Sequence, residues 1–343
     1  MMKKVSIVMI TYNHEKFIEQ AIMSVVNQET DFEYELIIGE DCSPDNTRVL
    51  VTALRDQYPD KIQAILPEKN MGAHKNFVQT LRSCRGEYIA VLDGDDYWTD
   101  VKKLQKQVDF LDSHPECSIC FHDVTMIYDQ DGKESRPYYR FPIPERSTIE
   151  DLLDKTYILP ATVMFRNGLI ADEPPKMFRN LLIGDWPRFV QVAEHGDVGF
   201  INEKMAVYRN HAGGVFSKHK NMEGEIKLES AKLAVYNAMN TYFLMKPEYK
   251  RYEPILKRRI ADICYDLAKL HARNKDWPKV RRYVVKGWVA QPRFQGFVIK
   301  FLLYSCFPQI LMRKRVNRNL RRLRKILRSF RKVNRKSIKR KIA

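Results

Sequence analysis

The sequence predicts an α/β protein with a mostly parallel central sheet, followed by a C-terminal α-helical region. Over the first hundred residues, short runs rich in β-branched residues alternate with amphipathic helical patterns. This alternation is typical of a parallel sheet with helices on both faces. Beyond about Gly224 the pattern is helical throughout. An apolar content of 44% is enough for one large core or two modest ones.

Four strands and three helices are expected in the first hundred residues. The strands are 5–10, 35–39, 61–66 and 88–92, and the helices are 15–27, 45–58 and 72–84. Parallel sheets bind ligands at the carboxyl ends of their strands. The first candidates for a site are therefore the polar residues that follow these strands: Thr11 to Asn13, Glu40 and Asp41, and Asp93 to Asp96.

The middle of the chain has a mixed pattern and the remainder is helical. Strands are expected at 118–128, 161–165 and 198–201, and a helix at 185–194. Helices follow at 226–245, 249–273 and 279–289, and the last two read as a helical hairpin. We therefore divide the chain into a first domain at 1–222, a helical domain at 223–312 and a tail at 313–343.

Most of the net positive charge lies in the tail. The formal net charge is +17, yet residues 313–343 hold 16 Lys and Arg and no Asp or Glu. Residues 1–312 therefore carry 43 basic residues against 42 acidic ones. A nearly neutral body with acidic loops would repel phosphate backbones, so no nucleic-acid partner is expected.

The tail has the pattern of a basic amphipathic helix. Its apolar residues recur at steps of three and four: Val316, Leu320, Leu323, Leu327 and Phe330. Such a helix fits the surface of an anionic membrane. The alternative is a helix that packs on the protein's own body. We expect peripheral attachment at the inner face of the cell membrane.

Cysteine usage and apolar runs indicate a cytoplasmic protein. Six cysteines in 343 residues do not resemble a disulfide framework. Cys117 and Cys120 form a CxxC that could suggest zinc, but residues three apart on a strand point to opposite faces, so buried thiols are the preferred interpretation. The apolar run at 5–10 is too short for a secretory signal, and the one at 297–312 is too short to span a membrane.

The strongest chemical signal is LDGDDYW at 92–98, directly after a buried strand. Asp93, Asp95 and Asp96 repel one another unless a cation lies among them, and hard divalent ions prefer oxygen ligands. A solvated acidic turn is the alternative. A second acidic loop, EDCSPDNT at 40–47, is expected at the same edge of the sheet. The chain has neither GxGxxG nor GxxxxGK[ST], so metal and basic side chains would have to neutralise bound phosphates.

Four segments in order resemble the motifs of the family-two glycosyltransferases of the bacterial surface-polysaccharide type, which are inverting enzymes with the GT-A fold. The segments are VSIVMITYN, EDCSPDNT, LDGDDYW and GDWPRFVQVAEHGDVGFINEKMAVYRNHAGGVFS. They cover about 5–217. The resemblance implies a GT-A nucleotide-sugar-binding domain at 1–222, a nucleotide-sugar donor, a hydroxyl acceptor and a divalent cation, Mn²⁺ or Mg²⁺.

The same resemblance implies a role for each matching residue. Asp185 would be the catalytic base, and a helix N-terminus favours its ionised form; a plain N-cap is the alternative. The nucleotide would contact Thr11, Tyr12, Asn13, Asp41, Lys75 and Asp93. The metal would bind Asp95 and His211. The loop over the donor diphosphate would include Arg209 and Ser217.

Some residues depart from the family pattern or have two interpretations. Glu40 stands where an Asp is more usual, and Lys75 where many members have an Arg. Trp98 and Trp186 would line the sugar site or belong to the core. A lipid-linked glycan precursor of a surface polysaccharide is the expected acceptor, because it unites a cytosolic enzyme with a membrane-binding tail. The alternatives are a nucleotidyltransferase, a nucleic-acid-binding protein that uses the basic tail, and a scaffold without activity.

Overall fold

The central sheet begins with four strands that pair in parallel, as the alternating pattern predicts. The order of these strands is β3 (Ile62–Ile65), β2 (Tyr34–Glu40), β1 (Val5–Thr11) and β4 (Tyr88–Asp93). The computed structural model describes residues 3–128, 138–139, 142–171, 173–211, 213–214 and 221–292. The described residues divide into two units between Ile260 and Ala261.

The helices between these strands lie on both faces of the sheet. They are α1 (Ile18–Val26), α2 (Thr47–Gln57) and α3 (Ala73–Arg82). Side chains alternate between faces along β1, so Ile7 and Met9 pack in the same core cluster as Ile18 and Ile22 of α1. The other face carries α3, whose Asn76 side chain donates to the Gly39 carbonyl at 2.7 Å.

Beyond β4 the sheet contains both parallel and antiparallel pairings. The sequence predicted a mostly parallel sheet and did not predict which strands are antiparallel. The remaining strands of the sheet are β5 (Tyr97–Trp98), β6 (Cys117–Tyr128), β7 (Arg146–Ser147), β8 (Met164–Arg166) and β9 (Asp197–Asn210). The pairings of β8 with β4 and β6 are antiparallel, as are those of β5 and β7 with β9, whereas β6 and β9 run parallel. The other helices of the first unit are α4 (Lys103–Ser113), α5 (Ile149–Asp154), α6 (Asp185–Ala193) and α7 (Met222–Leu244).

Three predicted elements differ from the structure. The strand expected at 161–165 is a 3₁₀ turn, Pro160–Thr162, followed by the short β8. The strand expected at 198–201 extends as β9 to Asn210, because its whole length pairs with β6. The helix expected from residue 249 begins as a 3₁₀ turn, Pro247–Tyr252, and continues as α8 (Glu253–Arg273).

The second unit contains the predicted helical hairpin. Its described part consists of the end of α8 and of α9 (Trp277–Ala290). The two helices share a small core: Ala261, Tyr265, Ala268, Val280 and Val284. Within the described residues, no helix is both long enough and apolar enough to cross a membrane. The apolar stretch at 297–312 and the basic tail at 313–343 lie outside the described residues.

Cys117 and Cys120 are both buried in β6, which confirms the interpretation of the CxxC as core thiols. Burial raises the pKa of the Cys120 thiol to about 12, so this thiol stays protonated at neutral pH. Its Sγ atom lies 3.5 Å from the side-chain nitrogen of Gln107 on α4.

Lys103, at the start of α4, is fully buried, and its amine has no hydrogen-bond partner among the described residues. The amine lies 3.8 Å from the ring centroid of Trp98, and burial lowers its pKa to about 7. The unfolded chain therefore binds a proton that the folded chain lacks between about pH 7 and 10.5. Burial of this lysine therefore lowers the free energy of unfolding most strongly below pH 7, and the loss becomes smaller as the pH rises towards 10.5.

We expect Lys103→Met to raise the free energy of unfolding by about 1–3 kcal/mol near pH 7, since the variant buries no unsatisfied amine. The difference in the free energy of unfolding between the variant and the native chain should be smaller at pH 9.5. Urea unfolding at the two pH values measures both quantities. A variant that is less stable at both pH values would show that the contact with Trp98 outweighs the cost of burial.

Candidate active site

The carboxyl ends of β1, β2 and β4 meet at one edge of the sheet. In the parallel register Thr11 is the neighbour of Glu40, and Ile10 is the neighbour of Asp93. The chain continues from β1 to β2 and β3 on one side and returns to β4 on the other. This change of direction creates a crevice in which open parallel sheets bind ligands.

The acidic loop after β4 lies directly against the end of β1. The Gly94 amide donates to the Ile10 carbonyl at 3.0 Å. A Cβ atom at Gly94 would lie 2.6 Å from Oγ1 and 2.7 Å from Cβ of Thr11, closer than real Cβ contacts allow. Glycine is therefore required for the close approach that brings Asp93 and Asp95 to this edge.

Gly94→Ala is expected to displace the acidic loop, because the side chain of Thr11 is buried and has no room to move. We expect donor turnover to fall by about tenfold or more, while the thermal midpoint falls by only a few degrees. Gly168→Ala is the matched control, since no atom lies within 4 Å of a Cβ there, although its positive φ also carries strain. Equal turnover in both variants would contradict the prediction.

Two histidines lie beside Asp95. His211 Nε2 is 3.1 Å from Asp95 Oδ2, and His14 Nε2 is 3.6 Å from the same oxygen. One ligand atom from each of the three residues falls within 4.8 Å of the others. Asp95 and His211 are the metal ligands predicted from the sequence, whereas His14 was not predicted. The available signal was its place directly after Asn13, in the first loop at the same edge.

The three carboxyl groups of the loop have very different electrostatic surroundings. Burial and the charges of Asp95 and Asp185 raise the pKa of Asp93 far above its usual range. Burial and the charge of Asp95 likewise raise the pKa of Asp96. Burial also acts on Asp95, but the hydrogen bond with His211 and the neighbouring His14 lower its pKa overall. Asp95 is therefore the carboxyl group of this loop whose surroundings favour the ionised form.

These residues fit a divalent cation. Asp95 supplies a carboxylate oxygen that is ionised, and His14 and His211 supply imidazole nitrogens that face the same point. Such nitrogens bind metals when the ring is neutral, and burial lowers the pKa of His14. A cation among these atoms would also offset the repulsion between Asp93 and Asp95.

Arg209 lies on β9 and holds the acidic loop in place. Its guanidinium donates to the Asp95 carbonyl at 2.7 Å and to the side chain of Gln20, and its amide donates to Asp96 Oδ1 at 2.8 Å. The guanidinium also lies 4.3 Å from the ring centroid of Tyr97. Arg209 therefore belongs to a strand and not to a closing loop as expected. Its contact with a diphosphate stays a prediction.

Asp185 is the first residue of α6, and the next residue fixes the helix. Trp186 is buried, donates from Nε1 to the Leu152 carbonyl at 3.0 Å and packs edge-on against Tyr236. Burial raises the pKa of Asp185, while the Trp186 amide and the Arg188 charge oppose the rise. The charge of Asp185 also raises the pKa of Asp93. The structure thus brings the predicted base and the acidic loop together.

Arg188, one turn along α6, is a basic residue that the sequence analysis did not consider. Its guanidinium lies 3.9 Å from the ring centroid of Phe77, and Nη2 is 3.2 Å from His74 Nδ1. Burial lowers its pKa to about 10, and the charges of Asp185 and Asp93 oppose that change. Arg188 is therefore a source of positive charge that acts on the base.

The predicted nucleotide-binding residues surround the same edge. Tyr12 is 46% exposed, and Asn13 has a left-handed φ of 60°. Asp41 is buried and accepts from the amides of Met71 at 2.7 Å and Gly72 at 2.9 Å, so it holds the segment before α3. Lys75 is exposed in the first turn of α3. The contacts of these residues with a nucleotide stay predictions.

Three remaining expectations concern single residues. Glu40 is fully buried, accepts from the Ser43 amide at 2.7 Å and pairs with Arg48. Trp98, like Trp186, is a core residue and donates to the Ala161 carbonyl at 2.9 Å. Ser217 lies outside the described residues.

Comparison with known proteins finds a family match in the first part of the chain. Residues 6–170 match the family described as Glycosyl transferase family 2. An uncharacterized protein from Mycobacterium tuberculosis is 39% identical over 214 residues, which is 62% of this chain and 60% of that protein. The poly(ribitol-phosphate) beta-N-acetylglucosaminyltransferase TarS from Staphylococcus aureus is 28% identical over 50% of this chain and 29% of its own length.

Two solved structures share the fold. TarS 1–349 in complex with UDP-GlcNAc has a TM-score of 0.51 at 18% identity and covers 85% of this chain and 93% of its own. The mannosyltransferase PcManGT from Pyrobaculum calidifontis, in complex with GDP-Man and Mn²⁺, has a TM-score of 0.54 at 14% identity and covers 90% and 88%. Residues 6–170 therefore match the model of glycosyltransferase family 2, and the chain has the GT-A fold.

Proposed function

We propose that the protein is an inverting glycosyltransferase that moves a sugar from a nucleotide-diphosphate sugar to a hydroxyl acceptor. One observation supports the proposal: Asp93 at the end of β4, Asp95 in the loop that follows and Asp185 at the start of α6 lie close enough for the charges of Asp95 and Asp185 to raise the pKa of Asp93. A purely structural helix cap would not need a further carboxyl group, Asp93, close enough for the two charges to interact.

The chemistry assigned to Asp185 is proton transfer. Its carboxylate takes the proton from the acceptor hydroxyl while that oxygen forms a bond to the anomeric carbon. The bond from the anomeric carbon to the diphosphate oxygen breaks, and the nucleoside diphosphate leaves with the bonding electrons. A single displacement of this kind inverts the anomeric configuration. The raised pKa of Asp185 makes it a better base than an ordinary aspartate.

The divalent cation of this proposal would be held by Asp95 and His211. When bound, it neutralises the negative charge that develops on the departing diphosphate. Arg209 and Asp96 keep the acidic loop in position through their hydrogen bond. Thr11, Tyr12, Asn13, Asp41, Lys75 and Asp93 are the proposed nucleotide contacts.

The class of donor is supported by the solved relatives. TarS was solved with UDP-GlcNAc, and PcManGT with GDP-Man. TarS is itself named a poly(ribitol-phosphate) beta-N-acetylglucosaminyltransferase, which supports a surface-polysaccharide acceptor for this chain. We propose a lipid-linked glycan precursor as that acceptor. The chain spans 60% of the mycobacterial relative and 29% of TarS, so these are proposals for the whole protein.

The basic tail supports peripheral binding at the cytoplasmic face of the cell membrane. The proposal rests on the apolar stripe and the 16 basic residues of 313–343. The full chain should sediment with vesicles that contain anionic lipid, and the triple variant Leu320→Ser, Leu323→Ser, Leu327→Ser should remain in the supernatant. Full sedimentation of this variant would contradict the proposal.

The test of the transferase proposal is release of nucleoside diphosphate from a panel of sugar nucleotides, with Mn²⁺, with Mg²⁺ and with chelator. Metal-dependent release from one donor would support the proposal and identify the sugar. Release of pyrophosphate from nucleoside triphosphates would favour a nucleotidyltransferase instead. Absence of both release and donor binding in calorimetry would overturn the proposal.

A further inference from the structure

We propose that His14 is a third protein ligand of the cation site, and that His14, Asp95 and His211 together select Mn²⁺ over Mg²⁺ before any nucleotide binds. This inference deepens the proposed function and rests on it for the role of the cation. The geometric argument concerns three atoms: Asp95 Oδ2, His211 Nε2 and His14 Nε2.

The first step is the turn that delivers His14. β1 ends at Thr11, and Asn13 adopts a left-handed φ of 60°, a conformation that asparagine tolerates better than most residues. The Asn13 amide donates to Ser43 Oγ at 2.9 Å, and the His14 amide donates to Thr47 Oγ1 at 2.8 Å. The second loop of the sheet edge thus fixes the backbone on which His14 stands.

The second step is the orientation of the imidazole. His14 Nδ1 lies 3.2 Å from Thr11 Oγ1, which leaves Nε2 to face Asp95. Metal-binding histidines commonly engage their second nitrogen in such a hydrogen bond, which fixes the tautomer and the ring plane. Thr11 also lies directly against Gly94, where an added Cβ atom would come within 2.6 Å of its Oγ1, so the acidic loop and His14 both adjoin the same side chain.

The third step is the opposite wall of the site. The His211 ring is 5% exposed and packs on Phe17, with 4.6 Å between ring centroids. The Arg209 guanidinium donates to the backbone carbonyl of Asp95 and so fixes its position. All three ligand atoms therefore come from side chains that packing or hydrogen bonds already orient, which is the condition for a site that binds metal without help from a substrate.

The donor set decides which metal fits. Mg²⁺ strongly prefers oxygen ligands in a near-ideal octahedron and keeps several of its waters, whereas imidazole nitrogen suits later divalent ions better. Two imidazoles and one carboxylate also form the facial arrangement that transition metals use while they keep open positions. With two of three protein ligands being nitrogen, the site should favour Mn²⁺ over Mg²⁺, and its open positions would take diphosphate oxygens.

The test is a titration of the full chain with Mn²⁺ alone. Binding is measured as the loss of the free Mn²⁺ signal in electron paramagnetic resonance. Mg²⁺ is then added as a competitor. His14→Asn is the informative variant, because the asparagine amide replaces Nδ1 towards Thr11 but offers nothing at the position of Nε2. We expect the dissociation constant for Mn²⁺ to rise by about tenfold or more in this variant. His195→Ala, on an exposed histidine after α6, is the matched control and should bind as the native chain does.

A second variant separates ligation from a structural role. His14→Glu places a carboxylate oxygen near the position of Nε2, so Mn²⁺ binding should persist while Mg²⁺ becomes a stronger competitor than it is in the native chain. Native-like Mn²⁺ affinity in a folded His14→Asn variant would overturn the inference. So would equal competition by Mg²⁺ in the native chain and in His14→Glu.

The outcome for this site is distinguishable from the outcome for the proposed reaction. Binding of Mn²⁺ is read without donor or acceptor. If the native chain binds Mn²⁺ through His14 yet hydrolyses and binds no sugar nucleotide, the site stands and the transferase proposal fails. If the native chain turns over a donor and His14→Asn binds Mn²⁺ normally, the transferase proposal stands and the role of His14 is wrong.

Discussion

Asp185→Asn is expected to lower the rate of sugar transfer by about 10²- to 10⁴-fold, since the amide cannot accept a proton from the acceptor hydroxyl. Donor affinity should change little, because asparagine keeps the size of the side chain and Trp186 still anchors α6. The rate constant for transfer and the dissociation constant for the donor, measured on the same preparation, separate the two effects.

The control for this variant is Glu150→Gln. Glu150 is also acidic and also lies in the first turn of a helix, α5, but its side chain is partly exposed and its described ion pair is with Arg251. Both substitutions remove a favourable interaction with a helix N-terminus, which is worth about 0.3–1 kcal/mol. If Asp185 only caps α6, the two variants should show the same small loss of stability and no difference in transfer rate.

The raised pKa of Asp185 predicts the pH dependence of the native enzyme. The base must be ionised, so transfer should decline as the pH falls through a pKa that lies above the ordinary aspartate value of 3.8. Burial is the main cause of the rise, and Arg188 limits it. Arg188→Met should therefore shift the acidic limb of the profile to higher pH, a change that loss of folding would not produce.

The part of the fold from β1 to β4 could be predicted from the sequence because local and tertiary signals agree there. Residues such as Ile7 and Met9 stand in short β-branched runs, and each run lies between amphipathic helices. Because ligands bind at the carboxyl ends of parallel strands, the sequence predicts that Asp93 and Asp41 lie at one edge of the sheet. In the structure, that edge carries both residues.

The other parts of the fold and of the candidate site could not be predicted, because they depend on tertiary contacts that no local sequence pattern encodes. β9 continues to Asn210 because β6 pairs with it, although residues such as Asn202 and Glu203 give its middle no strand-like pattern. His14 was missed because it is separated from Asp95 by 81 positions, and only the closeness of β1 and β4 brings them together. The same pairing explains why Gly94 has no room for a side chain.

Asp95→Asn should abolish the response of the protein to metal. The native chain is expected to gain several degrees in thermal midpoint when Mn²⁺ is present in large excess over its dissociation constant, since a ligand that binds only the folded state stabilises it. The variant loses the ionised oxygen that lies nearest both histidines, so its midpoint should be the same with Mn²⁺ and with chelator. Metal-dependent transfer should fall by about 10²- to 10⁴-fold, which corresponds to several kcal/mol of lost stabilisation.

The metal-free protein provides the check on this interpretation. Without a cation, the Asp95 charge raises the pKa of Asp93 and Asp96, so Asp95→Asn removes a repulsion at the same time as it removes the partner of His211. These effects oppose each other, and the midpoint in chelator should therefore change much less than the midpoint in Mn²⁺. Asp109→Asn, on the exposed face of α4, should retain the full response to Mn²⁺. A response that survives in Asp95→Asn would place the cation elsewhere and would remove the basis for the proposed role of the acidic loop.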